Sequence, residues 1–167
     1  WPAEYLAVPR LQTVGWHPDG TVVKNASTAD VALIEGQKTR LFPNNSVFYS
    51  YYKDYSSQVV ISAAEFNSYP IGAPMTYRDS TVLMIPNSPA MWVMDHGQKR
   101  FICSYQMYQD MGYQREGVQD IFPEDSLHFE TYVPNGPAFC YLSDGSLPPY
   151  PDETLLKDGI TGDSAVF

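Results

Sequence analysis

The sequence predicts an α+β fold: two tandem β-hairpin-rich repeats with short helices, then the start of a third repeat at the C-terminus. Residues 30–42, DVALIEGQKTRLF, and residues 90–102, AMWVMDHGQKRFI, share one pattern. Each has an apolar run, an acidic residue, a Gly-Gln-Lys tip, an arginine and a second apolar run, which reads as a β-hairpin with Gly36 or Gly97 supplying positive φ at the turn. Thr21 and Thr81 stand 60 positions apart, as do Arg40 and Arg100, so a whole unit is duplicated and not one hairpin alone. Finally, Pro151-Asp152-Glu153-Thr154-Leu155-Leu156-Lys157 mirrors Pro18-Asp19-Gly20-Thr21-Val22-Val23-Lys24, and Asp163-Ser164-Ala165-Val166-Phe167 mirrors Asp30-Val31-Ala32-Leu33-Ile34.

Residues 1–17 form an N-terminal arm with two prolines. The first repeat, residues 18–76, opens on the turn His17-Pro18-Asp19-Gly20 and a short β-branched strand, Thr21-Val22-Val23-Lys24. After the hairpin, Pro43-Asn44-Asn45-Ser46 stops a strand and offers side-chain oxygens to cap a helix over residues 46–53. Phe48, Tyr51 and Tyr52 share one face of that helix. Val59-Val60-Ile61 is a short strand, and Ser62-Ala63-Ala64-Glu65 matches a capping box for a brief helix carrying Phe66. Tyr69-Pro70-Ile71-Gly72 closes the unit.

The second repeat, residues 77–137, follows the same order. Thr81-Val82-Leu83-Met84 is the strand, Ser104 caps a helix bearing Tyr105, Tyr108 and Met111, and Gly112 is the left-handed terminator. Val118 and Ile121 stand in for Val59 and Ile61. Pro123-Glu124-Asp125 opens a second short helix with acidic residues in its first turn, where the dipole favours them. Residues 138–150 are a Pro/Tyr/Ser-containing linker, and residues 151–167 a partial third repeat that breaks off inside a hairpin. Such an edge pairs with a further strand, supplied by a continuing parent chain, by residues 1–11 or by a neighbouring subunit. Trp1 is not a start methionine and no signal-like region follows it, so the chain is expected to be a piece of something longer.

The run from residue 21 to residue 74 resembles a tandem repeat found in bacterial secreted and cell-surface proteins. The matching residues are Asp19-Gly20-Thr21-Val22-Val23-Lys24, Ala32-Leu33-Ile34-Glu35-Gly36-Gln37-Lys38, Arg40, Pro43, Phe48 and Tyr69-Pro70-Ile71-Gly72. The second repeat departs from the pattern at Ser80, Met84, Cys103 and the closing Val133-Pro134-Asn135-Gly136. The resemblance covers most of residues 18–137. It implies an extracellular, non-catalytic module and transfers no catalytic residue.

Composition narrows the function. A net charge of -9 with ten basic residues argues against nucleic acid and against an anionic membrane surface. No apolar stretch is long enough to span a bilayer as a helix, so no membrane insertion is expected. His17, His96 and His128 lack metal-ligand spacing, and no nucleotide-binding or acyl-transfer signature is present, so neither cofactor, metal nor enzyme activity is expected. Asp110 and Asp120 read as a solvated acidic face, and Glu124 and Asp125 as dipole partners. Lys38, Arg40, Lys99 and Arg100 read as solubilising charges at strand edges, or as partners for an acidic neighbouring module.

Cys103 and Cys140 are either two small buried residues or a disulfide clamping the second repeat to the segment after it. Asn25-Ala26-Ser27 and Asn44-Asn45-Ser46 are glycosylation sequons, at Asn25 and Asn44. The surplus of aromatics, with 13 tyrosines, is the best lead to a ligand. Trp92 takes the position of Ala32, either as a contact residue or as a gap filler, and Tyr51, Tyr52, Tyr105 and Tyr108 lie in two tyrosine-rich patches that suit sugar faces or protein partners. The expected function is an extracellular binding or adhesion module for a glycan or cell-surface component. The alternative is a structural subunit of a surface layer or filament that assembles with copies of itself through strand pairing.

Overall fold

The computed structural model describes residues 17–113 and 117–149, with the backbone of 155–157 and 164–166. The expected N-terminal arm, apart from His17, lies outside the described residues. The molecule is mixed α+β with two four-stranded sheets and short helices. It divides into two compact units, Trp1–Leu41 with Ser56–Pro74, and Phe42–Tyr55 with Met75–Phe167. The segment 42–55, expected in the first repeat, therefore groups with the second unit.

In unit 1, strands β1 (Val22–Asn25), β2 (Val31–Glu35), β3 (Lys38–Leu41) and β4 (Val59–Ile61) form a sheet of order β3-β2-β1-β4. β1 is antiparallel to β2, with Val23 opposite Ala32, and parallel to β4, with Val23 opposite Val59. The β2–β3 turn is a two-residue loop in which Gly36 (φ 56°) and Gln37 (φ 58°) are both left-handed, the turn whose twist suits a hairpin. Asp19 braces it, its carboxylate accepting from Gly36 N at 2.9 Å and Gln37 N at 3.3 Å. Helix α2 (Ala63–Phe66) is capped by Ser62, which accepts from Glu65 N at 3.1 Å. The Glu65 carboxylate does not complete the expected reciprocal box; it lies 3.2 Å from His17 Nε2. Val23, Ala32, Ile34, Ile61, Phe66 and Tyr69 form the core under α2.

The closing Tyr-Pro-x-Gly has a structural reason. Pro70 O accepts from Thr39 N and Gly72 N donates to Thr39 O, both at 2.9 Å, so this stretch lies along β3 and covers that sheet edge. A Cβ on Gly72 would sit 3.2 Å from Arg40 Cγ. The second unit does the same with Pro134 O, Lys99 and Gly136 N, at 2.8 and 3.0 Å.

In unit 2, β5 (Val82–Met84), β6 (Met91–Asp95), β7 (Gln98–Phe101) and β8 (Val118–Asp120) have the order β7-β6-β5-β8. Strand senses match those of unit 1, and Leu83 faces Trp92 as Val23 faces Ala32. Leu83 also faces Gln119 where Val23 faces Val59, so Gln119 and not Val118 holds the place of Val59, while Ile61 and Ile121 correspond and are both buried. The turn here is His96 (φ 49°) and Gly97 (φ 70°). Glycine thus occupies the first turn position in one unit and the second in the other, and the shared Gly-Gln-Lys text is one residue out of structural register.

Helix α3 (Tyr105–Asp110) is capped by Ser104, which accepts from Met107 N at 3.1 Å, and Gly112 (φ 74°) ends it. Met107, Tyr108 and Met111 pack with Val82, Met91, Val93, Ile102 and Phe139. On the other side, a 3-10 turn (Pro123–Asp125) leads into α4 (Ser126–Tyr132), whose Phe129 is fully buried. Helix α1 (Asn45–Tyr49) is capped by Asn44, which accepts from Val47 N at 2.8 Å. It ends before the expected residue 53, because Tyr51 N and Tyr52 N both turn back to Phe48 O and the Ser50 hydroxyl donates to Val47 O.

Strands β9 (Leu155–Lys157) and β10 (Ser164–Val166) pair antiparallel with Lys157 opposite Ser164. Lys24 faces Val31 in the same way, so the hairpin expected from the C-terminal mirror sequence has the register of β1 and β2.

Candidate interaction faces

The position-by-position match of α1 and α3 frames the site. Asn44 and Ser104 are both caps, so Asn45, Ser46, Val47, Phe48, Tyr49 and Ser50 correspond to Tyr105, Gln106, Met107, Tyr108, Gln109 and Asp110. The inner pairs, Val47 with Met107 and Phe48 with Tyr108, are buried in both helices. The outer faces differ. On α1, Ser46 is fully buried: Asp125 accepts from its N at 2.9 Å and from its hydroxyl at 2.7 Å. Phe122 N donates to Ser46 Oγ at 2.9 Å, Gln119 Nε2 donates to Ser46 O at 2.7 Å, and Arg78 N donates to Ser50 Oγ at 3.0 Å. The Tyr49 and Phe122 rings are 5.7 Å apart. On α3, Tyr105, Gln106, Gln109 and Asp110 all face solvent.

Asp125 is thus more than a dipole partner at the start of its own helix, since its carboxylate holds another one. Burial and Asp125 hold the neighbouring Tyr77 phenol well above the ordinary tyrosine range. No local signal in the sequence pairs Ser46 with Asp125, because the two are 79 residues apart.

The tyrosine patches are two packed clusters. Tyr51 and Tyr52 are half-buried, with ring centroids 6.0 and 6.1 Å from Phe42, and Phe48 stacks on Tyr55 at 4.1 Å. Burial raises the pKa of Tyr52, and of Tyr55 with help from Tyr49 and Asp125. Tyr105, Tyr108 and Tyr113 form a ladder with spacings of 5.6 and 5.8 Å. Tyr108 is buried, while Tyr105 is 63% exposed at the outer end. The sequence brought these two together, and the structure separates their surroundings.

Trp92 is half-buried between Phe101 and Phe129, at 6.2 and 5.5 Å edge-on. Ala32 meets α2 at the same position in unit 1, so the larger residue fills the space beneath the longer helix α4.

Of the four hairpin cations expected to act as solubilising charges, Arg40, Arg100 and Lys99 are engaged within the chain. Arg40 pairs with Glu35 at 2.5 Å and donates from Nε to Ala73 O at 3.0 Å. Arg100 pairs with Asp95 at 2.6 Å, donates to Pro137 O at 2.9 Å and lies over Phe139. Lys99 is buried and donates to Phe129 O at 2.6 Å and Glu130 O at 2.8 Å, capping the C-terminal end of α4. Burial lowers its pKa. Lys38 is exposed.

Cys103 and Cys140 are joined by a disulfide. Beside it, Cys103 N donates to Phe139 O at 3.2 Å and Phe139 N to Phe101 O at 2.7 Å, seating fully buried Phe139 in the core. Asp110 accepts from the Tyr141 hydroxyl and from Gln106 Nε2, which lowers its pKa and raises that of Tyr141. Neither sequon is presented for glycosylation: Asn25 is 4% exposed, and the Asn44 side chain caps α1 with its Nδ2 buried. Among the described residues no group of three or more His, Cys, Asp and Glu side chains could hold a metal, and no helix is long and apolar enough to cross a membrane. A cleft of about 410 Å³ lies where β5 and β8 end, lined by Met84, Pro86, Ser88, Asp120 and Phe122 among others.

No family model matches the chain, and no curated protein matches it. Among solved structures, it is similar to a chain of the periplasmic assembly from the ESX-5 inner membrane complex, at 11% identity and a TM-score of 0.27, covering 90% of this chain and 50% of that one. It is also similar to a chain of an intact ESX-5 inner membrane complex, at 12% identity and a TM-score of 0.27, covering 97% of this chain and 47% of that one. The chain spans about half the length of both. Overlap this low carries neither a fold assignment nor a role.

Proposed function

We propose that the chain is a non-catalytic binding module, built from tandem repeats of about 60 residues, that works outside the cytoplasm and engages its partner through the outer face of α3. The two sheets share strand order, senses and register, which supports the repeat reading. A disulfide at Cys103–Cys140 suits an oxidising compartment. The observation that carries the reading is Tyr105: a 63% exposed ring stacked on buried Tyr108, on a helix whose start adjoins the disulfide and whose Asp110 is tied to Tyr141.

A ring fixed in this way loses little freedom on contact, and aromatic platforms of this kind suit sugar faces and protein anchors alike. A glycan array tests the module with and without Tyr105→Ala. Loss of signal at an unchanged Tm supports the face; a signal indifferent to the substitution removes it.

A further inference from the structure

We infer that the outer face of α3 docks on the β4–α2 edge of unit 1 in a second copy of this chain. The inference rests on reading α3 as the binding face, and it names the partner. The argument comes from α1, whose equivalent face is already covered within unit 2 by Gln119, Phe122 and Asp125. A helix at this position therefore has a demonstrated mode of docking, against the end of a β8-type strand and the turn after it.

The same docking surface recurs in unit 1. By register, Val59 holds the place of Gln119, Ser62 that of Phe122 and Glu65 that of Asp125. Ser62 (φ -63°, ψ 154°) and Phe122 (φ -59°, ψ 140°) share a backbone conformation, so the two carboxylates leave the chain at matching points three residues on. This edge is open: Val59 is 39% exposed, Ser62 is exposed and Glu65 half-buried.

At the start of the two helices side-chain sizes are exchanged relative to the filled pair, while Gln109 stands where α1 has the Tyr49 ring that packs on Phe122. α3 offers Tyr105 and Gln106 where α1 has Asn45 and Ser46, while the unit 1 edge offers Ser62 where unit 2 has Phe122. The larger helix face thus meets the smaller edge, with Gln106 N placed to donate to Glu65 as Ser46 N does to Asp125. One bond of the filled pair is lost, since Pro18 stands in the place of Arg78 and has no N–H. Because helix face and edge are different patches, the contact is heterologous and adds copies head to tail. Net charge -9, with Glu65 and Asp110 at the contact, opposes association, and salt relieves that.

Sedimentation of the intact chain from micromolar to millimolar concentration is the test. Expected is concentration-dependent association that strengthens with salt and is lost in Gln106→Glu, which sets a further carboxylate against Glu65, and in Val59→Asp, but kept in Val60→Asp, whose side chain lies on the opposite sheet face. Mixing the two defective variants is decisive: each keeps one good face, so the mixture should stop at a one-to-one dimer. A wild type that stays monomeric, or oligomers indifferent to both variants, overturns the inference. If the monomer still loses its glycan signal in Tyr105→Ala, only self-docking has failed; if that signal is also unmoved, the α3 face has failed as well.

Discussion

The Asp125 carboxylate accepts two hydrogen bonds from Ser46, one from its backbone amide and one from its hydroxyl, and both residues are buried. The Ser46 amide belongs to the first turn of α1, where no intrahelical acceptor exists, so the carboxylate supplies what the helix lacks. Replacing Asp125 with Ala leaves two buried donors facing an apolar methyl. Asp125→Ala should therefore cost about 2–4 kcal/mol, because hydrogen bonds to charged groups and stranded buried donors are the expensive kind. Urea unfolding measures it, and a Ser46→Ala, Asp125→Ala double-mutant cycle should show coupling of about 1–3 kcal/mol. Additive losses would mean the pair contributes no joint stability.

The Cys103–Cys140 disulfide closes 37 residues and holds Phe139 against β7. Closing a loop of that size typically stabilises by about 2–4 kcal/mol, mainly by restricting the unfolded chain. Cys103→Ser with Cys140→Ser should lower the urea midpoint accordingly, and dithiothreitol should do the same to the wild type but not to the variant. Equal midpoints for oxidised and reduced protein would show that the core keeps Phe139 in place unaided.

Much of the fold was legible because its signals are local. Ser62 and Ser104 cap helices, Asn44 caps α1, Gly112 ends α3, and the turns sit where glycine permits positive φ. What needed tertiary information was not. Lys99 reads as a surface charge by residue type, yet it is buried because the end of α4 presents two carbonyls to it. Gln119 reads as less strand-like than Val118, yet it pairs with Leu83 because register is set by the sheet as a whole. The outer face of α3 was seen only as a tyrosine patch, since its counterpart on α1 differs by what packs over it from far along the chain.

Asp95 gives a pH dependence with a definite sign. Burial alone would raise its pKa, but hydrogen bonds from Arg100 and His96, with their charges, outweigh burial and hold it below the ordinary carboxylate value. The folded state then binds fewer protons than the unfolded one between that lowered value and about 3.9. Its contribution is fully present above the unfolded pKa and lost as pH falls through the folded one. Acid titration of stability should show this limb in the wild type and a shallower one in Arg100→Gln. Superimposable limbs would show that the ion pair makes no net contribution.

Trp92 and Tyr105, two aromatics that the sequence offered as equivalent contact candidates, should separate cleanly. Trp92 is wedged between Phe101 and Phe129, so Trp92→Ala removes packing beneath α4 and should cost about 3–5 kcal/mol. Tyr105 rests only one ring face on Tyr108 and is mostly in solvent, so Tyr105→Ala should move stability by no more than about 0.5 kcal/mol. A binding defect in Trp92→Ala is therefore confounded by unfolding, whereas one in Tyr105→Ala reads the surface directly. Thermal melts of both variants decide which probe is usable: a Tyr105→Ala melt as depressed as that of Trp92→Ala would place Tyr105 in the core and leave α3 without an independent recognition residue.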